Sequence, residues 1–344
     1  MKFPEFLTAE KNGRKPTIGF PAPSFGCSIE PYYSAFQNAK KKLEERGVLT
    51  EDGPNAYKDL GIGISNTPQK CAEEFMRMYV SGTNHALISC GGGELMCEIL
   101  PYIDFEKLKS ARPKWFMGYS DNTNLTFLLT TNCDTASIYG PCAAAFGMEP
   151  WHPAIEDAFS LLMGKKLTMK NYPLWEKESK KDETHPYEPY HVTEPFAFAA
   201  DEKEISVSGR LIGGCLDCLS KLVGTRFDKV SDFAARYRMD GILWFLECCD
   251  LNVMEIRRCL WNLREAGWFE YASGFLIGRP MHYDEPMFGL DRHTAVTGIL
   301  SELDVPVIMD LDIGHLPPMM PLICGSFAEA GVSNGQFEIR MELR

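Results

Sequence analysis

Short apolar runs alternate with longer segments of helical spacing along the first 130 residues. The run 16-PTIGFPAPS-24 predicts a short strand entering a Pro-rich turn, and 31-PYYSAFQNAKKKLEERG-47 predicts a helix closed by Gly47. A second helix is predicted over 68-PQKCAEEFMRMYVSG-82, with Pro68 at its start. The run 85-HALISCGGG-93 predicts a buried strand opening into a glycine loop. Residues 94–110 then read as helical until Pro101 interrupts them. Next, 113-PKWFMGYSDNTNLTFLL-129 gives strand, turn and helix. Strands that alternate with helices and are apolar on both faces predict a parallel sheet covered on both sides.

The pattern breaks at 164-GKKLTMKNYPLWEKESKKDETHPYEPYHVTEP-195, which is charged, aromatic and without periodicity. It reads as a linker or lid. Its Lys and Glu residues suit a solvated face, whereas Trp175 and the tyrosines, on an exposed segment, read as ligand or partner contacts. Periodicity resumes with the strand 204-EISVSGRLIGG-214, the helix 215-CLDCLSKLVGT-225, the buried strand 241-GILWFLECCD-250 and the amphipathic helix 253-VMEIRRCLWNLREAGWF-269. Strands over 274-GFLIGR-279 and 306-PVIMDLDIG-314 follow, and the tail from 323 onward reads as strands around an Asn-Gly turn. The expected division is an N-terminal domain over 1–165, a linker or lid over 166–200 and a C-terminal domain over 201–344.

Composition narrows the function. The chain has 344 residues, 45% hydrophobic and 24% charged, which is ordinary for a globular protein of two domains. The net charge of 35 − 47 = −12 disfavours nucleic acid and anionic membrane surfaces as partners. No apolar run is long enough to span a bilayer, and the N-terminus lacks a leader's apolar core, so a cytoplasmic location is the default expectation. Under that expectation the twelve cysteines are free thiols. Cys215 and Cys218 form one C-x-x-C with no second metal-binding pair downstream, and they read as buried thiols at a helix start rather than a zinc or redox site.

Three strand ends carry residues that together make a hydrolytic triad. Ser120 follows WFMGY, Glu247 ends ILWFLE and His315 follows VIMDLDIG. A hydroxyl nucleophile needs an imidazole to take its proton, and the imidazole needs a carboxylate to fix its tautomer. Each residue also has a plainer reading. Ser120 is a natural helix N-cap and lacks the G-x-S-x-G frame. Glu247, after an apolar run, needs a partner for structural reasons alone. His282 and His293 rival His315 from polar surroundings, and His85 reads as a strand start. Cys90 and Cys248 are alternative nucleophiles. The loop 89-SCGGGEL-95 reads either as a phosphate cradle or as an oxyanion hole completed by the Asp121 backbone N–H. The first of these readings makes the chain a non-hydrolytic nucleotide- or acyl-binding module.

The stretches 17-TIGFPAPS-24, 88-ISCGGGELMCEILPYIDF-105, 113-PKWFMGYSDNTNL-125, 139-YGP-141, 209-GRLIGGCL-216, 242-ILWFLE-247 and 313-IGHLPPMMPL-322 resemble the LD-carboxypeptidase family of serine peptidases (S66), which includes microcin C self-immunity peptidases. The resemblance implies an α/β fold, with a Rossmann-like N-terminal domain on a parallel sheet and a C-terminal swivelling β/α/β domain. It also implies a homodimer without metal or cofactor. It assigns Ser120 as nucleophile, His315 as general base and Glu247 as the orienting acid. Oxyanion donors fall on the backbones of Asp121, Gly92 and Gly93, and substrate contacts on Gly91, Glu94 and Trp175. The implied substrates are an L,D-peptide bond of murein peptides or the amide of a microcin C-like peptide-nucleotide, and the Trp175 loop tilts toward the latter. The chain departs from the family at Cys-Gly-Gly-Gly-Glu, where many members have Arg-Gly-Gly-Tyr-Gly, and at Cys215, where many have Asn.

Overall fold

A computed structural model describes residues 1–8 and 15–344; residues 9–14, within the N-terminal stretch read for a leader, lie outside the described residues. The first sheet is built from β1 (Thr17–Phe20), β2 (Leu49–Asp52), β3 (Ala86–Ile88), β4 (Trp115–Gly118) and β5 (Ser137–Tyr139), all parallel. β3, β4 and β5 are buried along their whole length, as expected of a sheet covered on both faces. The helices α1 (Tyr32–Glu45), α2 (Pro68–Val80), α3 (Phe105–Ser110), α4 (Thr123–Thr131) and α5 (Pro153–Leu162) accompany it. The sequence pattern foresaw α1 and α2. It did not single out β2, β5 or α5.

The chain then passes through three short strands, β6 (Thr168–Lys170), β7 (Leu174–Trp175) and β8 (Glu194–Pro195), the last two pairing only with each other. Beyond them come β9 (Ile205–Cys215), α6 (Leu216–Leu222), α7 (Val230–Arg236), β10 (Ile242–Glu247), α8 (Val253–Glu265), β11 (Ala272–Gly278), α9 (Arg292–Leu300) and β12 (Val307–Leu311). Three strands finish the chain: β13 (Leu322–Cys324), β14 (Phe327–Ser333) and β15 (Gln336–Glu342). The second sheet runs β12-β11-β10-β9-β14-β15-β6; its first four strands are parallel and the rest antiparallel. β15 alternates exposed and buried positions, as a half-solvated strand does, whereas β10 and β12 are buried throughout. The β14–β15 turn is the expected Asn-Gly pair, with φ of 51° at Asn334 and 75° at Gly335.

Two strands cross between the regions the sequence separates. β6, from the segment read as a lid, becomes an edge strand of the second sheet. β13, from the C-terminal region, pairs antiparallel with β5 of the first. The two sheets are therefore tied together, and α4 lies between them. α4 is buried at every residue and packs on β5, β9 and α6. The ring of Phe127 stacks on Trp268, 5.4 Å between centroids, and the Thr123 hydroxyl accepts a hydrogen bond from the Cys215 N–H (3.0 Å). The carboxyl ends of β4 and β9 consequently meet at the first turn of α4. Among the described residues, no helix is long and apolar enough to cross a membrane.

Candidate active site

Ser120 sits where buried β4 must turn into α4. Its φ is +62°, a left-handed conformation that costs a non-glycine residue on the order of 1 kcal/mol and holds the side chain at a sharp turn. The N-cap expectation is corrected. Tyr119 and Asn122 occupy the positions before the 3-10 turn and before α4, and neither turn has a side-chain cap. The turn is held from three sides. The Asn122 amide donates to the carbonyls of Tyr119 (3.0 Å) and Gly91 (2.9 Å), locking the glycine loop to the serine. The buried Asp121 carboxylate accepts from the Ser24 hydroxyl (2.5 Å), the Met96 N–H (2.8 Å) and the Asn124 amide (3.0 Å). Burial pushes that carboxyl above its usual range, and these donors offset part of the shift. On the third side, the Ser120 N–H donates to the Tyr139 hydroxyl (3.3 Å) at the end of β5.

The Tyr139 hydroxyl in turn donates to Glu247 Oε1. Glu247 is the last residue of β10 and is 1% exposed. Its Oε2 lies 2.8 Å from His315 Nδ1. Two glycines make this contact possible. A Cβ at Gly314, where φ is +105°, would stand 2.3 Å from Glu247 Oε2, and one at Gly278 would meet the Glu247 Cβ at 3.0 Å. Burial disfavours the Glu247 charge, but His315, Tyr139 and Cys215 outweigh it, so the carboxyl stands below the usual range. Burial likewise opposes protonation of His315, yet the Glu247 carboxylate and the Cys249 thiol outweigh that, and the imidazole stands well above its ordinary value. The pair is thus held as a carboxylate aligned on the Nδ1 side of the ring.

Ser120 and His315 line one cleft of about 490 Å³. No hydrogen bond joins them among the described residues, a spacing common before substrate tightens a site. Gly91, Gly92, Gly93 and Glu94 form the adjoining wall. Gly92 lies close against the serine: a Cβ there would come within 3.2 Å of the Ser120 Cβ and 3.3 Å of its Oγ. The Phe25 N–H donates to the Gly92 carbonyl (2.7 Å), which fixes the loop. Glu94 is exposed at the mouth; burial, then Asp250, Asp121 and Asp217, raise its carboxyl. The loop leads into a 3-10 helix (Met96–Tyr102), so the phosphate-cradle reading lacks the α-helical N-terminus it called for.

Trp175 departs from the expectation of an exposed ligand contact. It is buried, its indole N–H donates to the Pro195 carbonyl (3.2 Å), and Arg279 and Tyr283 cover its ring at 4.9 Å each. From the same segment, Glu176, Lys181 and Tyr190 line the cleft instead. The rival histidines are engaged elsewhere, His282 with Glu285 (2.9 Å) and His293 with Asp310 (2.6 Å). Cys90 and Cys248 are buried thiols that burial raises well above their ordinary value, which suppresses the reactive thiolate. Sequence reasoning gave no role to Tyr139, Ser24 or Asn122. Tyr139 ends a strand ahead of Gly-Pro, and that position was the available signal.

The geometry can be set beside known proteins. The family model described as the LD-carboxypeptidase N-terminal domain matches residues 18–140, and that of the C-terminal domain matches 208–330. A putative carboxypeptidase of Vibrio cholerae is 26% identical over 94% of each chain. The microcin C7 self-immunity protein MccF of Escherichia coli is 26% identical over 90% of this chain and 88% of its own. A probable murein peptide carboxypeptidase of Bacillus subtilis is 25% identical over 93% of each. Among solved structures, an MccF-like protein from Bacillus anthracis superposes with a TM-score of 0.84 over 100% of both chains at 21% identity. MccF in complex with glutamyl sulfamoyl guanosine does so with 0.79 over 98% of both, also at 21%. The chain belongs to the LD-carboxypeptidase (S66) family and is a serine peptidase of two-domain α/β architecture.

Proposed function

We propose that the chain hydrolyses the amide bond of a small peptide or peptide-nucleotide through Ser120, His315 and Glu247. The observation that carries this is the 2.8 Å Glu247–His315 hydrogen bond opening onto the cleft that the strained Ser120 turn also lines. Ser120 Oγ attacks the carbonyl carbon, and its proton passes to His315 Nε2, the ring nitrogen not committed to Glu247. The oxyanion is received by the N–H groups of Asp121 and of the Gly92–Gly93 loop. Neither the Gly92 nor the Asp121 N–H donates to another group among the described residues. His315 then protonates the leaving amine, and water resolves the acyl-enzyme by the same route in reverse. Glu247 holds the ring in the tautomer this sequence needs and stabilises the imidazolium.

The substrate candidates are the L,D-peptide bond of a murein tetrapeptide and the amide of a peptidyl sulfamoyl nucleotide, the second suggested by the complex described for MccF. The buried Trp175 removes one argument for the nucleotide class, and the cleft wall carrying Glu176, Lys181 and Tyr190 takes its place as the surface that selects the leaving group. Mass-spectrometric product analysis with each substrate tests the reading. The purified chain is expected to cleave one of them, with Ser120→Ala at least about 10³-fold slower. Tight nucleotide binding with no cleavage of either would instead support the binding-module reading.

A further inference from the structure

The C-x-x-C of the sequence lies against the proposed catalytic pair. Parallel pairing sets Cys215, the last residue of β9, directly beside Glu247. The Cys215 thiol lies 3.2 Å from Asp217 Oδ2. One donor atom each from Cys215, Glu247 and His315 gathers within 4.8 Å of the others. A tetrahedral cation with bonds of about 2.0–2.3 Å needs its ligand atoms roughly 3.3–3.8 Å apart, so side-chain adjustments below about 1 Å would close the site. Two more thiols stand nearby: Cys218, three residues on in α6, and Cys249, which lines the same cleft as His315. Thiolate, imidazole and carboxylate together select zinc and its heavier congener cadmium over magnesium or calcium, which take all-oxygen sites.

We propose that Cys215, Glu247 and His315 form a binding site for a zinc-class divalent cation, and that its occupancy switches hydrolysis off. Entry is through the cleft that His315 lines. Coordination releases the Cys215 thiol proton and displaces the Nδ1 proton now shared with Glu247, which moves to Nε2 when the ring starts neutral and leaves to solvent when it starts protonated. A neutral ring bound to the cation through Nδ1 carries its remaining proton on Nε2. That nitrogen then cannot accept the Ser120 proton, and Glu247 no longer orients the ring. Binding at the three residues is independent of the hydrolytic reading; the loss of activity rests on it.

Chelator-stripped full-length chain titrated with Cd²⁺ or Zn²⁺ decides the matter. Expected are one equivalent bound, a sulfur-to-cadmium charge-transfer absorption that also forms in Ser120→Ala, and inhibition by Zn²⁺ that a chelator reverses. Cys215→Ser should weaken both metals on the order of 100-fold. The proposal is overturned if the absorption is absent at stoichiometric Cd²⁺ in the wild-type chain, or if Cys215→Ser leaves absorption and inhibition unchanged. Cadmium absorption without Zn²⁺ inhibition would keep the site and overturn the switch.

Discussion

Tyr139→Phe removes one oxygen atom from the centre of the site. That hydroxyl donates to Glu247 Oε1 and accepts from the Ser120 N–H (3.3 Å), so it joins the acid to the nucleophile turn without touching the substrate. The phenylalanine ring keeps its packing against Phe245 (5.2 Å) and Tyr119 (6.5 Å), so little cavity forms. What is lost is a hydrogen bond to a buried carboxylate, about 1.5–3 kcal/mol. At 1.36 kcal/mol per decade, full expression in the transition state slows kcat roughly 10- to 150-fold. KM should change little, because no substrate contact is removed. Felt in the folded state instead, the same loss lowers Tm by about 2–4 °C per kcal/mol for a domain of this size. Steady-state hydrolysis and thermal melts of both chains separate the two effects. A Tyr139→Phe chain with wild-type kcat and an unchanged Tm would refute the claim that this phenol positions Glu247 and Ser120.

Three further outcomes follow from the same geometry. The general base must be neutral, and the Glu247 carboxylate raises the His315 pKa above 6.5, so a larger fraction of the ring is protonated at a given pH and the acidic limb of kcat/KM moves upward. With chelator present, that limb is expected above 6.5 and should fall back in Glu247→Gln, where burial is opposed by Cys249 without the carboxylate; a wild-type limb below 6.5 contradicts the assignment. Gly92→Ala has an ordinary backbone conformation to occupy but drives its methyl to 3.3 Å from Ser120 Oγ, so activity should drop by about 10²-fold with Tm nearly unchanged, as measured by kinetics and melting in parallel. Ser24→Ala leaves the buried Asp121 carboxylate short of one donor and should cost about 1–3 kcal/mol in denaturant unfolding, with a smaller loss of rate.

The α/β alternation was legible because β3, β4, β10 and β12 are buried on both faces and leave near-continuous apolar runs. Glu247 and His315 stood out for a related reason: a charged group at the end of such a run is anomalous unless something nearby receives it. Tyr139 was not legible in this way. A tyrosine ending a buried strand resembles any core aromatic, and its role depends on β5 lying beside β4, with Tyr139 paired to Gly118. β13 and β6 have only three residues each, too few to show a period, and both are held by strands far away in sequence. Trp175 misled because its charged neighbours implied exposure. Its burial comes from Arg279 and Tyr283, more than 100 positions further on, a contact that no local pattern encodes.

Covalent labelling with a fluorophosphonate probe, followed by intact-mass measurement and peptide mapping, tests the central claim most directly. One adduct per chain is expected, on Ser120, formed in step with loss of hydrolysis and absent from Ser120→Ala. Activity lost with the adduct on another residue, or retained with Ser120 fully modified, would contradict it.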